Sequence, residues 1–134
     1  MDKECKDHST ALTNGVRIAV RSKYIPEQSS PSNRRYVFAY TVRIRNEGKE
    51  SVQLRSRHWI ITDSTGATEE VRGDGVVGEQ PVLNPGGQFE YVSAAVLKSA
   101  RGEMRGSYEM VTWNGSTFDA EIAPFLLALP FSLN

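Results

Sequence analysis

Three glycines in residues 72–81, read RGDGVVGEQP, have a spacing that could bind a phosphate group. Gly73, Gly75 and Gly78 follow the pattern G-x-G-x-x-G, which in dinucleotide-binding proteins joins a strand to a helix. The helix is essential there, because its free N–H groups and partial positive charge hold the pyrophosphate. The chemistry of this segment therefore depends on whether a helix begins after Gly78.

The residues after Gly78 do not favour a helix. Two prolines and two glycines fall in residues 81–87, and so many helix breakers cannot sustain helical structure. Asp74 and Glu79 would also repel a phosphate unless a divalent cation bridged them. We therefore predict a connection between two strands, with the glycines supplying special backbone angles. The alternative is a pyrophosphate or nucleotide site, binding or hydrolytic, with a divalent metal near Asp74 and Glu79.

The other residues that could do chemistry are better explained by structural roles. His58 beside Trp59 is predicted to be a buried, hydrogen-bonded core residue. Cys5 and His8 approach metal-ligand spacing but have no second pair, so no zinc site is expected. The strained G-x-S-x-G turn of serine hydrolases is absent from the sequence. We predict no catalytic residue, no metal ligand and no cofactor.

Charge is balanced overall but uneven along the chain. The 134 residues, enough for one domain, contain 16 basic and 16 acidic side chains, so net charge does not favour nucleic acid as a partner. Residues 1–60 carry twelve bases and six acids, whereas residues 61–134 carry four and ten. We expect these halves to interleave and pair across strands. A basic patch is the alternative, formed by Arg43, Arg45, Arg55 and Arg57.

The composition also predicts a compartment. The single cysteine rules out an internal disulfide, which suits a reducing cytosol. The N-terminus lacks the apolar core of a signal peptide, and no apolar run has the length of a membrane span. We expect a cytoplasmic protein without a membrane partner.

Alternating apolar and polar residues predict strands throughout the chain. Residues 36–45 alternate most clearly, and a bulge or a fully buried stretch is expected near residues 56–58. Residues 46–50 are interpreted as a hairpin connection, and Asn114-Gly115 as a type I′ hairpin turn. We predict an all-β, immunoglobulin- or fibronectin-type-III-like sandwich of about seven or eight antiparallel strands. Residues 1–14 are predicted to be a flexible tail and residues 15–134 a single domain.

The apolar C-terminal segment is the predicted partner surface. Large apolar side chains at a chain end are hard to bury completely, and an exposed set would mark a protein or dimer contact. Sheet edges offer a second route through strand addition. The side chains of this predicted surface are Phe125, Leu126, Leu127 and Leu129.

Six segments together resemble the ApaG family from about Val16 to the C-terminus. They are YIPEQSSP (24–31), RHWIITD (57–63), VRGDGVVGEQP (71–81), NPG (84–86), FEYVS (89–93) and GSYEM (106–110). The resemblance implies a fibronectin-type-III-like sandwich and, at Gly73, Gly75 and Gly78, the family's proposed pyrophosphate site. It also implies an association with cobalt and magnesium homeostasis and with a neighbouring diadenosine tetraphosphatase. Similar modules in F-box proteins and a DNA-polymerase-delta-interacting protein are expected to make protein contacts.

These patterns support three hypotheses. The leading one is a non-enzymatic protein-interaction module that docks an unknown protein, or a second copy of itself, through a sheet edge, the apolar C-terminal segment or the glycine loop. The second is the nucleotide-binding or nucleotide-hydrolysing protein described above. The third and weakest is nucleic-acid binding through outward-facing arginines such as Arg43 and Arg45.

Overall fold

The computed structural model describes residues 5–130, and they form a two-layer β-sandwich. Strands account for most of this range, with short 3₁₀ turns at Pro26–Gln28 and Pro31–Asn33. This confirms the predicted all-β sandwich. The strands are β1 (His8–Thr13), β2 (Val16–Tyr24), β3 (Tyr36–Asn46), β4 (Val52–Asp63), β5 (Thr68–Asp74), β6 (Val82–Leu83), β7 (Gln88–Leu97), β8 (Arg101–Thr112) and β9 (Thr117–Ala128).

The strands form two antiparallel sheets. Sheet A has the order β1-β2-β3-β7, and sheet B has the order β5-β4-β8-β9 with β6 also paired to β4. Alternate residues of both sheets point into one shared apolar core. The periodic stretch predicted at residues 36–45 supplies Phe38, Tyr40, Val42 and Ile44 to it. At the centre, Trp59 packs edge-on against Tyr108, with 6.2 Å between ring centroids.

Strand β1 corrects the prediction of a flexible tail over residues 1–14, of which residues 1–4 lie outside the described residues. His8–Thr13 form β1, which pairs along its whole length with β2. The connecting turn is Asn14-Gly15, where both residues have positive φ, 47° and 85°. A two-residue turn with positive φ at both positions is type I′, which matches the twist of a hairpin. Asn14-Gly15 is therefore a type I′ hairpin turn, between β1 and β2.

The predicted hairpin at Asn114-Gly115 joins β8 to β9, but its turn is of another type. Gly115 has φ 91° and Asn114 does not have a positive φ. Gly115 N–H donates to Thr112 O at 2.9 Å, and Thr112 N–H donates to Ser116 O at 2.8 Å. This is a three-residue loop with its glycine in the left-handed region, so the hairpin was predicted correctly and the type I′ turn was wrong.

The prediction of a hairpin at residues 46–50 is wrong, because β3 and β4 lie in different sheets. β3 already pairs with β2 and β7 on its two edges, so β4 has no edge of β3 to join. The chain crosses between the layers and is held by the buried Asn46. Its Nδ2 donates to Glu50 O at 2.8 Å and to Leu83 O at 2.9 Å. The predicted bulge in β4 is present, between Leu54 and Ser56.

Candidate functional site

The glycine loop connects β5 to β6 through a tight turn. Val76 N–H donates to Glu79 O at 2.8 Å, and Glu79 N–H donates to Val76 O at 2.9 Å. Between them Val77 and Gly78 have φ of 42° and 81°, the angles of a type I′ turn. The chain then continues into β6. The strand-to-strand connection predicted from the sequence is thus confirmed, and no helix begins at Gly78.

Gly73 makes room for an arginine that supports the loop. A Cβ on Gly73 would lie 2.7–2.9 Å from the guanidinium atoms of Arg57, closer than packing allows. Arg57 Nη1 donates to Asp74 O and to Gly75 O, both at 2.9 Å. The guanidinium therefore lies against the backbone of β5 and binds the carbonyls at the start of the loop.

Gly75 is required by both its conformation and its surroundings. Its φ is 66°, and a Cβ would lie 2.3 Å from Glu79 O. Its N–H donates to Arg55 O at 2.9 Å. The amides of Gly75, Val76 and Glu79 therefore already bind protein carbonyls, whereas a phosphate-binding loop directs its amides at the ligand. The geometry explains the glycine spacing without a ligand.

Beside the loop, the outer face of sheet B contains a polar groove of about 470 Å³. His58 lies on this face, where its Nε2 is 2.8 Å from Glu70 Oε1. The hydrogen bond with His58 lowers the pKa of the Glu70 carboxyl below its usual value. The prediction that His58 belongs to the core is therefore wrong, because alternation along β4 directs Trp59 inward and His58 outward.

The groove also contains three carboxylates, Asp74, Glu109 and Asp119. Ser56 Oγ donates to Glu109 Oε1 at 3.1 Å, which ties two neighbouring strands together. Among residues 5–130, no three His, Cys, Asp or Glu side chains are grouped closely enough to hold a metal ion. Asp74 and Glu79, the suggested metal ligands, thus lack a third partner in the described part of the chain.

Behind the loop, the core holds a hydrogen-bonded tyrosine pair. The hydroxyls of Tyr91 and Tyr108 bind each other across the two sheets. Burial raises the pKa of both hydroxyls above the usual tyrosine value, and it raises the pKa of Tyr40 as well. These tyrosines are neutral core residues that link the layers.

The predicted apolar partner surface is wrong, because its four side chains are buried. Phe125 and Leu127 are fully inside the core, and Leu126 and Leu129 are buried as well. The first three belong to β9, which packs against β1 and β2 of the other sheet. Ser22 Oγ, itself buried, donates to Leu126 O at 2.7 Å. The segment seals one side of the sandwich and is unavailable to a partner.

The opposite side of the sandwich exposes a sheet edge, strand β7. Ile25 N–H donates to Val37 O, so odd-numbered residues of β3 bond towards β2 and even-numbered ones towards β7. The register then directs the backbone groups of the even-numbered residues of β7 away from β3. The side chains of Val92 and Val96 are also exposed, at 60% and 49%. β7 thus offers free hydrogen-bonding groups beside apolar side chains.

The neighbouring edge, β5, is different. It is shorter than β7, and its exposed residues are mostly charged: Glu69, Glu70, Arg72 and Asp74. Charged side chains are a common means by which edge strands avoid pairing with other chains. The sequence contained the signal for β7, because Val92 and Ala94 lie between Phe89, Tyr91, Ser93 and Ala95, and Val96 follows them. A strand with apolar side chains on both faces indicates that its outer face makes a contact in addition to the contact of its inner face with the core.

The outward arginines are also placed by the structure. Arg43 and Arg45 lie on the outer face of sheet A, with Arg17 and Arg21 on the adjoining strand. Arg57 contacts the glycine loop, and Arg55 lies in the bulge of β4. The suggested patch of Arg43, Arg45, Arg55 and Arg57 is therefore wrong as a set, because its members lie on different sheets.

Fold and site define a class of protein: an all-β sandwich whose glycine loop is a structural turn and which exposes the edge of strand β7. No helix within residues 5–130 has the length and apolar character needed to cross a membrane. Residues 26–112 match the pattern of the ApaG domain. The chain belongs to the ApaG family.

Known relatives are similar to this chain in sequence and structure along nearly its whole length. Protein ApaG of Anaeromyxobacter dehalogenans strain 2CP-C is 56% identical over 126 residues, which cover 94% of this chain and 99% of that protein. Protein ApaG of Pseudomonas paraeruginosa strain PA7 is 55% identical over 119 residues, covering 89% and 94%. A crystal structure described as the putative ApaA protein from Bordetella pertussis has a TM-score of 0.84 at 50% identity, covering 95% and 98%.

Proposed function

We propose that this protein is a non-enzymatic cytoplasmic interaction module that binds an extended segment of another protein along β7. The single observation that carries the proposal is the free edge of β7, a strand of ten residues. Its outward amides and carbonyls are ready to form a new antiparallel or parallel ladder. Main-chain hydrogen bonds of this kind give affinity, and neighbouring side chains give selectivity.

The side chains around this edge favour an occupant with an apolar character. Val92 and Val96 project from the outer face of β7, and Ala94 lies between them. An added strand would place its own side chains directly opposite these, at about 4.5–5.5 Å between Cβ atoms. On the inner face it would lie beside the half-buried Phe89. Burial of these apolar groups would add to the backbone hydrogen bonds.

The geometry argues against the two other surfaces suggested for binding a partner. The C-terminal apolar segment is buried in the core, and the amides of the glycine loop are largely used within the protein. A role in cobalt or magnesium homeostasis would then act through the bound protein partner, because the described residues offer no cluster for the ion itself.

Site-specific photo-crosslinking tests the proposal. A photoreactive amino acid is placed at Val92 and, as a matched control, at Val82 on sheet B, which is equally exposed at 61%. We expect a discrete protein adduct from position 92 only. A peptide copied from the crosslinked segment should then shift the amide resonances of Glu90, Val92, Ala94 and Val96.

Other results have defined meanings. Adducts of twice the chain's mass from position 92 would show that the partner is a second copy of this chain, paired through β7, and not another protein. Equal adducts from positions 92 and 82, or no adduct at 92, would overturn the proposal. Turnover of diadenosine tetraphosphate by the purified protein would favour the nucleotide hypothesis instead.

A further inference from the structure

The two outer faces of the sandwich carry opposite charge. The outward positions of sheet A hold five basic side chains and one acidic side chain: Arg17, Arg21, Lys23, Arg43, Arg45 and Glu90. The outward positions of sheet B hold six carboxylates, Glu70, Asp74, Glu103, Glu109, Asp119 and Glu121, against Arg72, Arg101 and Arg105 and the exposed Arg55 in the bulge of β4.

The expectation that the two halves pair across strands is met by Arg43 and Glu90, but most of the charge is divided between the sheets. The basic strands β2 and β3 of the N-terminal half are neighbours in sheet A. The acidic strands β5, β8 and β9 of the C-terminal half all lie in sheet B. The excess of basic charge on sheet A is therefore separated from the excess of acidic charge on sheet B by the thickness of the core, about 10 Å between the sheets.

The outer face of sheet A, the basic face, includes a pair of like charges that does not stabilise the fold. Arg17 and Arg45 are direct cross-strand partners, and like charges in that position are destabilising. Arg17 relieves part of the repulsion by binding Glu47, with its Nε 2.7 Å from Oε2. An anion bound on this face would reduce the remaining repulsion between the two arginines.

A furrow crosses the basic face. Its volume is about 440 Å³, and its floor is formed by the small side chains of Thr10, Ala19 and Thr41. Arg21 stands on one side of it and Arg43 on the other. Arg43 is engaged with Glu90 at 3.3 Å, whereas Arg21 and Lys23 have no carboxylate partner among residues 5–130.

We infer that the outer face of sheet A binds an acidic segment of a partner protein, with Arg21 and Arg43 as the main contacts on either side of the furrow. This surface is distinct from the edge of β7 and does not require a strand to be added there. The charge count of the face matches a segment rich in Asp or Glu. The hydroxyls of Thr10 and Thr41 can donate further hydrogen bonds to carboxylates.

Two other occupants fit less well. Single-stranded nucleic acid binds through basic groups interleaved with aromatic rings, and the outward positions of sheet A carry no Phe, Tyr or Trp. A second copy of the chain would bring its acidic face, but Arg72, Arg101 and Arg105 on that face would meet the arginines of sheet A.

Fluorescence anisotropy with defined probes tests this inference. The probes are an oligoglutamate peptide, an oligoglutamine peptide of equal length and a single-stranded oligonucleotide of equal charge, all at low salt. The double variant Arg21→Gln/Arg43→Gln is compared with Arg72→Gln/Arg105→Gln, which removes the same charge from sheet B. We expect only oligoglutamate to bind well, and the first double variant to weaken its binding about tenfold.

The control variant should bind oligoglutamate at least as tightly as the unaltered protein. Equal weakening by both variants would show that only net charge matters, which would overturn the inference. Equal affinity for oligoglutamate and oligoglutamine would also overturn it, and this comparison needs no variant. Tighter binding of the oligonucleotide would assign the face to nucleic acid instead.

Discussion

The two lateral sides of this sandwich differ in what they do with their edge strands. On one side β1 and β9 lie against each other, and Ser9 Oγ donates to Ala123 O at 2.7 Å across the gap. Leu126 N–H likewise donates to Lys6 O at 2.7 Å. On the other side β7 and β5 remain edges, and the outward backbone groups of β7 have no backbone partner among residues 5–130. We call these the closed side and the open side.

The difference shows that an apolar segment is not by itself a binding surface. The closed side contains the most apolar stretch of the sequence, and the fold buries it. The open side contains a less apolar strand, but its outward hydrogen-bonding groups have no partner strand in the described part of the chain. Availability of backbone groups, and not hydropathy, distinguishes the surface that a partner can use.

The largest effect should come from the closed side. Phe125→Ala removes a fully buried ring that packs against Trp59 and should lower the free energy of unfolding by about 3–5 kcal/mol. Denaturation by urea measures this value. A loss below about 1 kcal/mol would mean that the segment is not part of the core and would restore it as a candidate surface.

The glycine loop on the open side should respond next. Gly75→Ala forces a Cβ against Glu79 O at a positive φ, so stability should fall by about 2–3 kcal/mol. Gly78→Ala is the matched control, because it has positive φ but open space around the new Cβ, and about 1 kcal/mol is expected. If Gly75→Ala left stability unchanged but abolished binding of ATP with Mg²⁺, the loop would be a ligand site.

Alkaline pH should act on Tyr91 and Tyr108, the tyrosines that join the two sheets. Their pKa values are raised in the folded state by burial, so the folded protein resists losing these protons while the unfolded chain loses them near pH 10. Stability is therefore fully present below about pH 10 and falls above it, by about 1.4 kcal/mol per pH unit for each tyrosine that stays neutral.

Urea denaturation between pH 8 and 11.5 gives this dependence. The double variant Tyr91→Phe/Tyr108→Phe removes both partners of the hydrogen bond together, and its stability should fall less steeply with pH. An unchanged slope in the double variant would show that these hydroxyls do not set the alkaline limit.

The smallest effect on stability should come from the edge itself. Val92→Lys/Val96→Lys changes two side chains that are exposed to solvent. The free energy of unfolding should therefore stay within about 0.5 kcal/mol of the original. The same change should abolish binding of an extended partner segment, measured by anisotropy with the crosslinked peptide. Retained binding would move the partner surface away from β7.

The sequence predicted those parts of the fold that depend on local pattern. Alternation in residues 36–45 identified the core positions of β3, and prolines and glycines after Gly78 excluded a helix. β1 was missed because its inward residues are Ser9, Ala11 and Thr13, which give no apolar period to detect. The Asn14-Gly15 pair was the available signal for that hairpin.

The features that decide the site depend on pairing between distant residues. Burial of Phe125 and Leu127 requires β1 and β2 to lie across β9, which no local pattern specifies. The support of the glycine loop by Arg57 joins residues on two strands, and the separation of charge depends on which strands share a sheet. These could be recognised only after the strand order was known.

Amide hydrogen exchange along β7 tests the free edge most directly. In the isolated protein, the amides of Glu90, Val92, Ala94 and Val96 should exchange rapidly, while those of Tyr91, Ser93 and Ala95, bonded to β3, should exchange slowly. Addition of the crosslinked partner segment should protect the first group and leave the second unchanged. Uniform slow exchange along β7 in the isolated monomer, or an unchanged alternation with partner bound, would contradict the account.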